Sequence, residues 1–295
     1  MKVFYTDHFV LPLPDGHRFP MRKYSMLREA VQAFAPQTLE EAPAARDDEL
    51  LLAHDAAYVA RMSNGTLTAN EVRQIGFPWS PGMAERARRS AGATIAAARA
   101  SLRDRCGINL AGGTHHAFAH HGEGFCCYND AAVATRVLQR DCAIGRVLIC
   151  DLDVHQGNGT ARIFAGDASV FTFSMHGERN YPVRKIASCL DVGLPDRTAD
   201  DAYLEALRAA LDALSAKRRW DIVFFNAGVD PHRDDRLGRL ALSDEGLRER
   251  EKTVIGHFRE RGVPVCGVIG GGYSTDVPAL AARHAILFET AAQFA

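Results

Sequence analysis

The chain has 295 residues, 47% of them hydrophobic, and a formal net charge of -1, enough apolar material for a large buried core. That balance excludes a surface built for nucleic acid or anionic lipid, which needs an excess of Lys and Arg. No charged segment with a following apolar run opens the sequence, and the seven cysteines form no C-x-x-C pair. The expectation is a cytoplasmic protein with reduced thiols and no membrane contact.

Lys2–Thr6 alternates and reads as a first strand, while Asp7–Pro20, with two histidines and three prolines, reads as a surface loop. Arg22–Phe34 has helical period, and Asp47–Met62 reads as short helices split near His54-Asp55. The rigid Phe77-Pro78-Trp79-Ser80-Pro81 leads into a helix over Gly82–Arg105, with Ser80 as cap and Pro81 at the first helical position. Gly107–Ala111 is a predicted strand that ends in Gly112-Gly113-Thr114-His115-His116. A helix over Asn129–Arg140 precedes the strand Val147–Cys150, whose continuous apolar run suits a strand buried on both faces. A helical stretch from Gly159 to Phe164, a strand over Ser169–Ser174, a link over Leu194–Asp201 and a helix over Asp201–Arg219 follow. Asp221–Asn226 and Val263–Ile269 read as strands, Ser243–Arg261 and Val277–Gln293 as helices. Cys106, Cys142, Cys150, Cys189 and Cys266 sit in or beside apolar segments and are expected to be buried, and His120-His121 to be exposed. Recurrent strand-then-helix without a linker implies an α/β class: one domain over 1–295, a mostly parallel central sheet with helices on both faces.

Ligands of open parallel sheets bind at the carboxyl ends of the strands. Four predicted strands carry polar groups there: His115 and His116, the alternating Asp151, Asp153 and His155, then Asp230, and Tyr273 behind three glycines. Alternate residues of an extended chain share a face, so one strand end presents two carboxylates and an imidazole that a cation must compensate. Asp153, His155 and Asp230 are candidate ligands of zinc, leaving a fourth position open. The histidine pair suits proton transfer near neutral pH, and the Tyr273 hydroxyl suits a developing oxyanion. Together they point to hydrolysis of an acyl group.

The motifs G-G-T-H-H-A at 112–117, G-F-C at 124–126, D-L-D-V-H-Q-G-N-G at 151–159, N-A-G-V-D with D-R-L-G between 226 and 238, and G-G-G-Y at 270–273 resemble the zinc-dependent histone deacetylases of the arginase/deacetylase superfamily. The wording is most similar to class IV enzymes and their bacterial relatives. The resemblance implies zinc on Asp153, His155 and Asp230, with His116 as general base and His115 assisting the leaving amine. It further implies that Asp151 orients His115 and that Asn158 contacts His116. Gly124, Phe125, Tyr181, Gly271 and Gly272 would line an acyl channel, and a structural K+ or Na+ would sit by Asp151, Asp153, His155, Ser174 and Met175. Cys126 would border the inner end of that channel, with Cys127 as packing, and Asp235 reads equally as a supporting acid or as a solvated loop residue.

The implied partner is an acylated lysine or a small acylated amine; acetylpolyamine deacetylation and a non-catalytic acyl or acetoin sensor are the alternatives. Gly157 stands where arginase-like relatives carry a ligand for a second metal, Ile75–Pro81 lacks the acid that many relatives use to hold a peptide, and Leu237 replaces a glutamate that reads polyamine ammonium.

Overall fold

The computed structural model describes residues 1–7, 11, 13–14 and 16–294; residues 8–10, 12 and 15 of the expected loop lie outside the described residues. Strands β1 (Lys2–Tyr5), β2 (Leu39–Glu41), β3 (Cys106–Asn109), β4 (Val147–Asp151), β5 (Val170–Gly177), β6 (Leu190–Leu194), β7 (Ile222–Asn226) and β8 (Val265–Val268) form one parallel sheet in the order β2-β1-β3-β8-β7-β4-β5-β6. The helices are α1 (Lys23–Phe34), α2 (Asp47–Leu50), α3 (Ala56–Asn64), α4 (Ala69–Ile75), α5 (Pro81–Asp104), α6 (Asp130–Cys142), α7 (Asn158–Ile163), α8 (Asp200–Lys217), α9 (Asp244–Glu260) and α10 (Val277–Gln293). No helix among the described residues is long and apolar enough to cross a membrane.

The period of two in β4 divides the core. Leu148 and Cys150 face a layer holding Leu27, Tyr203, Val254 and Leu287, whereas Val147 and Ile149 face Ala97, Val133 and Val137. Helices α1, α8, α9 and α10 therefore cover one face of the sheet, and α5 and α6 the other. Every residue of β3, β4, β7 and β8 is buried, which is why these strands read as uninterrupted apolar runs.

The expected elements are all present, with four additions, one of them a single 3-10 turn over Pro36–Thr38. Edge strands β2 and β6 are half exposed and carry charged residues, so neither shows a buried run. Helix α4 begins at Thr68, whose hydroxyl accepts from the Glu71 amide while the Glu71 carboxylate accepts from the Thr68 amide. Two cysteine expectations are corrected. Cys142 is exposed because it ends α6 beyond its last buried turn, and Cys189 because it precedes the edge strand β6. His120 is exposed as expected, but His121 is half buried because its ring stacks on Phe118 at 4.5 Å.

One buried ion pair ties α9 to the sheet. Arg250 pairs with Glu251 through two 2.7 Å contacts and donates to the carbonyls of Gly228 (2.7 Å), Leu152 (3.3 Å) and Ala227 (3.4 Å). Removing the guanidinium leaves Glu251 and three carbonyls unpaired in the interior. Arg250→Met is expected to lower unfolding free energy by about 3–5 kcal/mol in urea titrations; a loss below about 1 kcal/mol would show that the carbonyls find other donors.

Candidate active site

Register explains why four separate loops meet. Asn109, Val268, Asn226, Asp151 and Ser174 lie level across the adjacent strands β3, β8, β7, β4 and β5. The chain segments leaving those strands therefore emerge side by side at one edge of the sheet. Asn226 Nδ2 cross-links two of them by donating to Asp151 Oδ1 at 2.8 Å.

Asp153, His155 and Asp230 converge as expected: one ligand atom from each lies within 4.8 Å of the others, and all three residues are buried. His155 Nδ1 is 3.0 Å from Asp153 Oδ1 and 3.1 Å from Asp230 Oδ2. The remaining carboxylate oxygens accept backbone amides, Gly271 N on Asp153 at 2.7 Å and Val154 N on Asp230 at 2.8 Å. Burial and the Asp153 charge push Asp230 up to about 7. Burial disfavours a charged His155, but the two carboxylates outweigh it and lift the ring to about 10. Two anionic groups packed round one nitrogen in a dry site need a positive centre, and one nitrogen with two oxygens suits zinc. The cradle fits closely, since a Cβ on Gly271 would run into the carboxylates of Asp230 and Asp153. At Gly157 a Cβ would run into Asp151, so the position that lacks a second-metal ligand has no room for one.

The histidine pair is likewise in place. His115 Nδ1 lies 2.6 Å from Asp151 Oδ2, and His116 Nδ1 lies 2.7 Å from Asn158 Oδ1, while the two Nε2 atoms are 3.1 Å apart. Asp151 Oδ1 already accepts from Asn226 and from the Asp153 amide, so His115 Nδ1 is the donor to Oδ2. Burial opposes charge on His115, yet Asp151 and Asp153 outweigh it and raise the ring to about 9. His116 is driven well below its ordinary value by burial and by the neighbouring charges of His115 and His155. Burial and neighbouring charge thus move the two rings in opposite directions although their Nε2 atoms lie 3.1 Å apart.

Glu123, which sequence reasoning missed, completes this line. Its Oε1 accepts from Asn158 Nδ2 at 2.6 Å and from the Tyr181 hydroxyl at 2.6 Å, and His121 lies 3.6 Å from Oε2. Burial would raise this carboxyl, but the three donors outweigh it and hold it below its usual range. An ionised carboxylate only accepts, so it fixes the Asn158 amide with Oδ1 toward His116, which must then carry its proton on Nδ1 and expose the Nε2 lone pair. Asp130 was missed too. Its carboxylate takes the amides of Gly113 (3.1 Å) and Thr114 (2.8 Å) and the hydroxyls of Thr114 and Thr94 (2.6 Å each), anchoring the turn that delivers the histidines. At the start of a helix an aspartate reads as a dipole partner, which hid this role.

The expected channel residues meet around the same point. Gly124, Phe125, His116 and Tyr273 border both an inner cavity that also touches Cys126 and Gly271 and an outer one that also touches Tyr181. Phe125 takes a left-handed φ of 66° and packs 5.3 Å from Phe77 and from Phe19. Tyr181 stands at the rim, edge-on to His116 at 4.9 Å. Tyr273 packs edge-on against His155 at 6.2 Å, and Asp235 Oδ2 accepts its amide at 2.6 Å, so Asp235 is a supporting acid and not a solvated loop residue. Burial and the carboxylates of Asp153 and Asp230 hold the Tyr273 phenol well above its ordinary pKa, so it remains a donor. Gly272 does not border either cavity; Lys23 Nζ approaches its carbonyl at 3.3 Å. Cys127 packs, its sulfur 4.0 Å from that of Met83. Ser174 pairs in register with Asp151, with Met175 next on β5, and the Ser174 hydroxyl meets His176 Nδ1 at 2.9 Å.

Sheet and site together define a hydrolase of linear amides. The histone deacetylase domain matches residues 17–288, and the chain belongs to the histone deacetylase family. It is 44% identical to an uncharacterized protein of Picosynechococcus over 98% of this chain and 97% of that one. Histone deacetylase 2 of Arabidopsis thaliana is 31% identical over 76% of this chain and 60% of its own length. Among solved structures, an HDAC homologue complexed with SAHA superposes with a TM-score of 0.84 at 24% identity, over 98% of this chain and 84% of that chain.

Glu123→Gln removes the charge that fixes the Asn158 amide, a charge-assisted contact of about 1.5 kcal/mol. Steady-state deacetylation should show kcat reduced about tenfold with KM and thermal unfolding little changed; an unchanged kcat refutes the orientation argument.

Proposed function

We propose that the chain is a zinc-dependent amidohydrolase that removes an acetyl or longer acyl group from an amine such as acyl-lysine or a small acylated amine, and that residues 1–295 form one deacetylase domain. The observation that carries this reading is the buried Asp153, His155 and Asp230 cluster lying beside the His115 and His116 pair, with His116 Nδ1 held by the Asn158 amide that Glu123 fixes. A dication held there supplies Lewis acidity toward the amide carbonyl and favours ionisation of water.

The chain's own groups supply the rest. His116 Nε2 takes a proton from the attacking water. His115, held by Asp151, stabilises the proton on the pair and assists its delivery to the departing nitrogen. The Tyr273 hydroxyl donates to the oxygen that gains negative charge, and the Phe125 and Tyr181 rings bracket the acyl-bearing chain and exclude water. A K+ or Na+ near Asp151, Asp153, His155, Ser174 and Met175 would stiffen the loop beneath; the register of Asp151 with Ser174 supports it. Seven free cysteines suit a cytoplasmic setting.

Tyr273→Phe deletes one oxyanion donor and should lower kcat on acetyl-lysine peptides by ~10²-fold or more, with zinc content and thermal unfolding unchanged. Equal activity of this variant and the parent would exclude the phenol from the reaction. Asp153→Ala should abolish stoichiometric zinc in elemental analysis of the purified protein, and retention of one zinc per chain would move the metal elsewhere.

A further inference from the structure

The outer cavity, about 340 Å³, is lined by His116, His155 and Tyr273 and also by Arg18, Arg179 and Arg239. All three arginines are exposed, and they come from three loops far apart in sequence. Their counter-charge is thin. Asp196 lies 3.2 Å from Arg239 Nη1 and 3.9 Å from Arg179 Nη1, and Arg18 has no ion pair among the described residues. Among the described carboxylates, Glu123 is taken by Asn158 and Tyr181 and Asp235 by the amides of Leu237, Gly238 and Tyr273, while Glu178, next to Arg179, is exposed. The Leu237 side chain lines the same cavity and offers no polar group.

We propose that the substrate is a small acylated amine whose amine-side portion ends in an oxyanion, a carboxylate or a phosphate, seated on Arg18, Arg179 and Arg239; this rests on the deacylase reading of the site. The guanidinium fork matches both oxyanions bidentately. The same rim repels a free ammonium, so acetylated polyamines and lysine-rich acetylated peptides are poor ligands here. A cavity of this volume lies at the lower end of the range for small-molecule sites. The acyl group enters between Phe125 and Tyr181, leaving the anion at the rim.

The test uses zinc-loaded full-length protein and four N-acetylated alkylamines of equal length that end in a carboxylate, a phosphate, a methyl or an ammonium group. The carboxylate or the phosphate should exceed the methyl arm by about tenfold in kcat/KM, chiefly through KM, with the ammonium arm lowest. The preference should shrink as salt rises. Whichever of the two anionic arms leads identifies the oxyanion. In Arg18→Gln/Arg239→Gln the ratio of anionic to methyl arms should fall toward one, and Arg239→Glu should favour the ammonium arm. Equal turnover of all four arms overturns the anion proposal while the deacylase reading stands. If no arm is hydrolysed, the deacylase reading is in question, and calorimetric binding of hydroxamates with carboxylate or methyl termini still decides the rim. Tighter binding of the carboxylate form, lost in Arg18→Gln/Arg239→Gln, supports it, and equal binding overturns it.

Discussion

The site depends on a guanidinium that never reaches it. All five N–H donors of Arg250 are used, two on Glu251 and three on the carbonyls of Leu152, Ala227 and Gly228. Leu152 precedes Asp153 on the segment leaving β4, and Gly228 lies two residues before Asp230 on the segment leaving β7. These loops stop following the sheet ladder where their side chains must turn inward, so their carbonyls need donors from outside it. A planar fork fixed by Glu251 supplies donors for both at once. The spacing between the two carboxylates is thereby set from the helix layer, leaving the carboxylate oxygens free for a cation and for the amides of Val154 and Gly271.

Above that frame, charge is ordered in steps. Asp151 and Asp153 raise His115, while burial and the charge of its neighbours depress His116, so two rings whose Nε2 atoms lie 3.1 Å apart differ in proton affinity. An asparagine next to the second ring cannot by itself say which way its amide points. The ionised Glu123 decides it and extends the line to Tyr181 at the rim. Tyr181 at the rim and the carboxylate that fixes the Asn158 amide beside His116 are therefore one hydrogen-bonded unit.

Much of this was legible in the sequence because it is written in short segments. Val147 to Cys150 is apolar at every position, as a strand buried on both faces must be, and the alternation of Asp151, Asp153 and His155 follows from the two-residue period of an extended chain. Four such strand ends sufficed to find the cluster, because carboxylates and imidazoles at strand ends have few inexpensive explanations. The residues that escaped act across the fold. Glu123 lies 35 residues from Asn158 and 58 from Tyr181, and nothing in G-E-G-F announces either contact. Edge strands β2 and β6 bury too little to leave a pattern, and Cys142 reads as buried only if its helix is taken to stay packed to its last residue.

The same distinction separates the interior of the site from its mouth. Inside, the carboxylates of Asp151, Asp153 and Asp230 gather round His115 and His155, whose rings they raise. Outside, Arg18, Arg179 and Arg239 outnumber Asp196, the one carboxylate that pairs with them among the described residues, although the chain as a whole is nearly neutral with a net charge of -1. Net charge describes the surface as a whole and says nothing of such a local field, which arises only when three distant loops are brought to one rim. On the proposal of an anion-ended substrate, a positive mouth would hold the ligand's anion outward and leave its neutral amide directed in. On that proposal, selection would follow from how the fold partitions charge over the depth of one cavity.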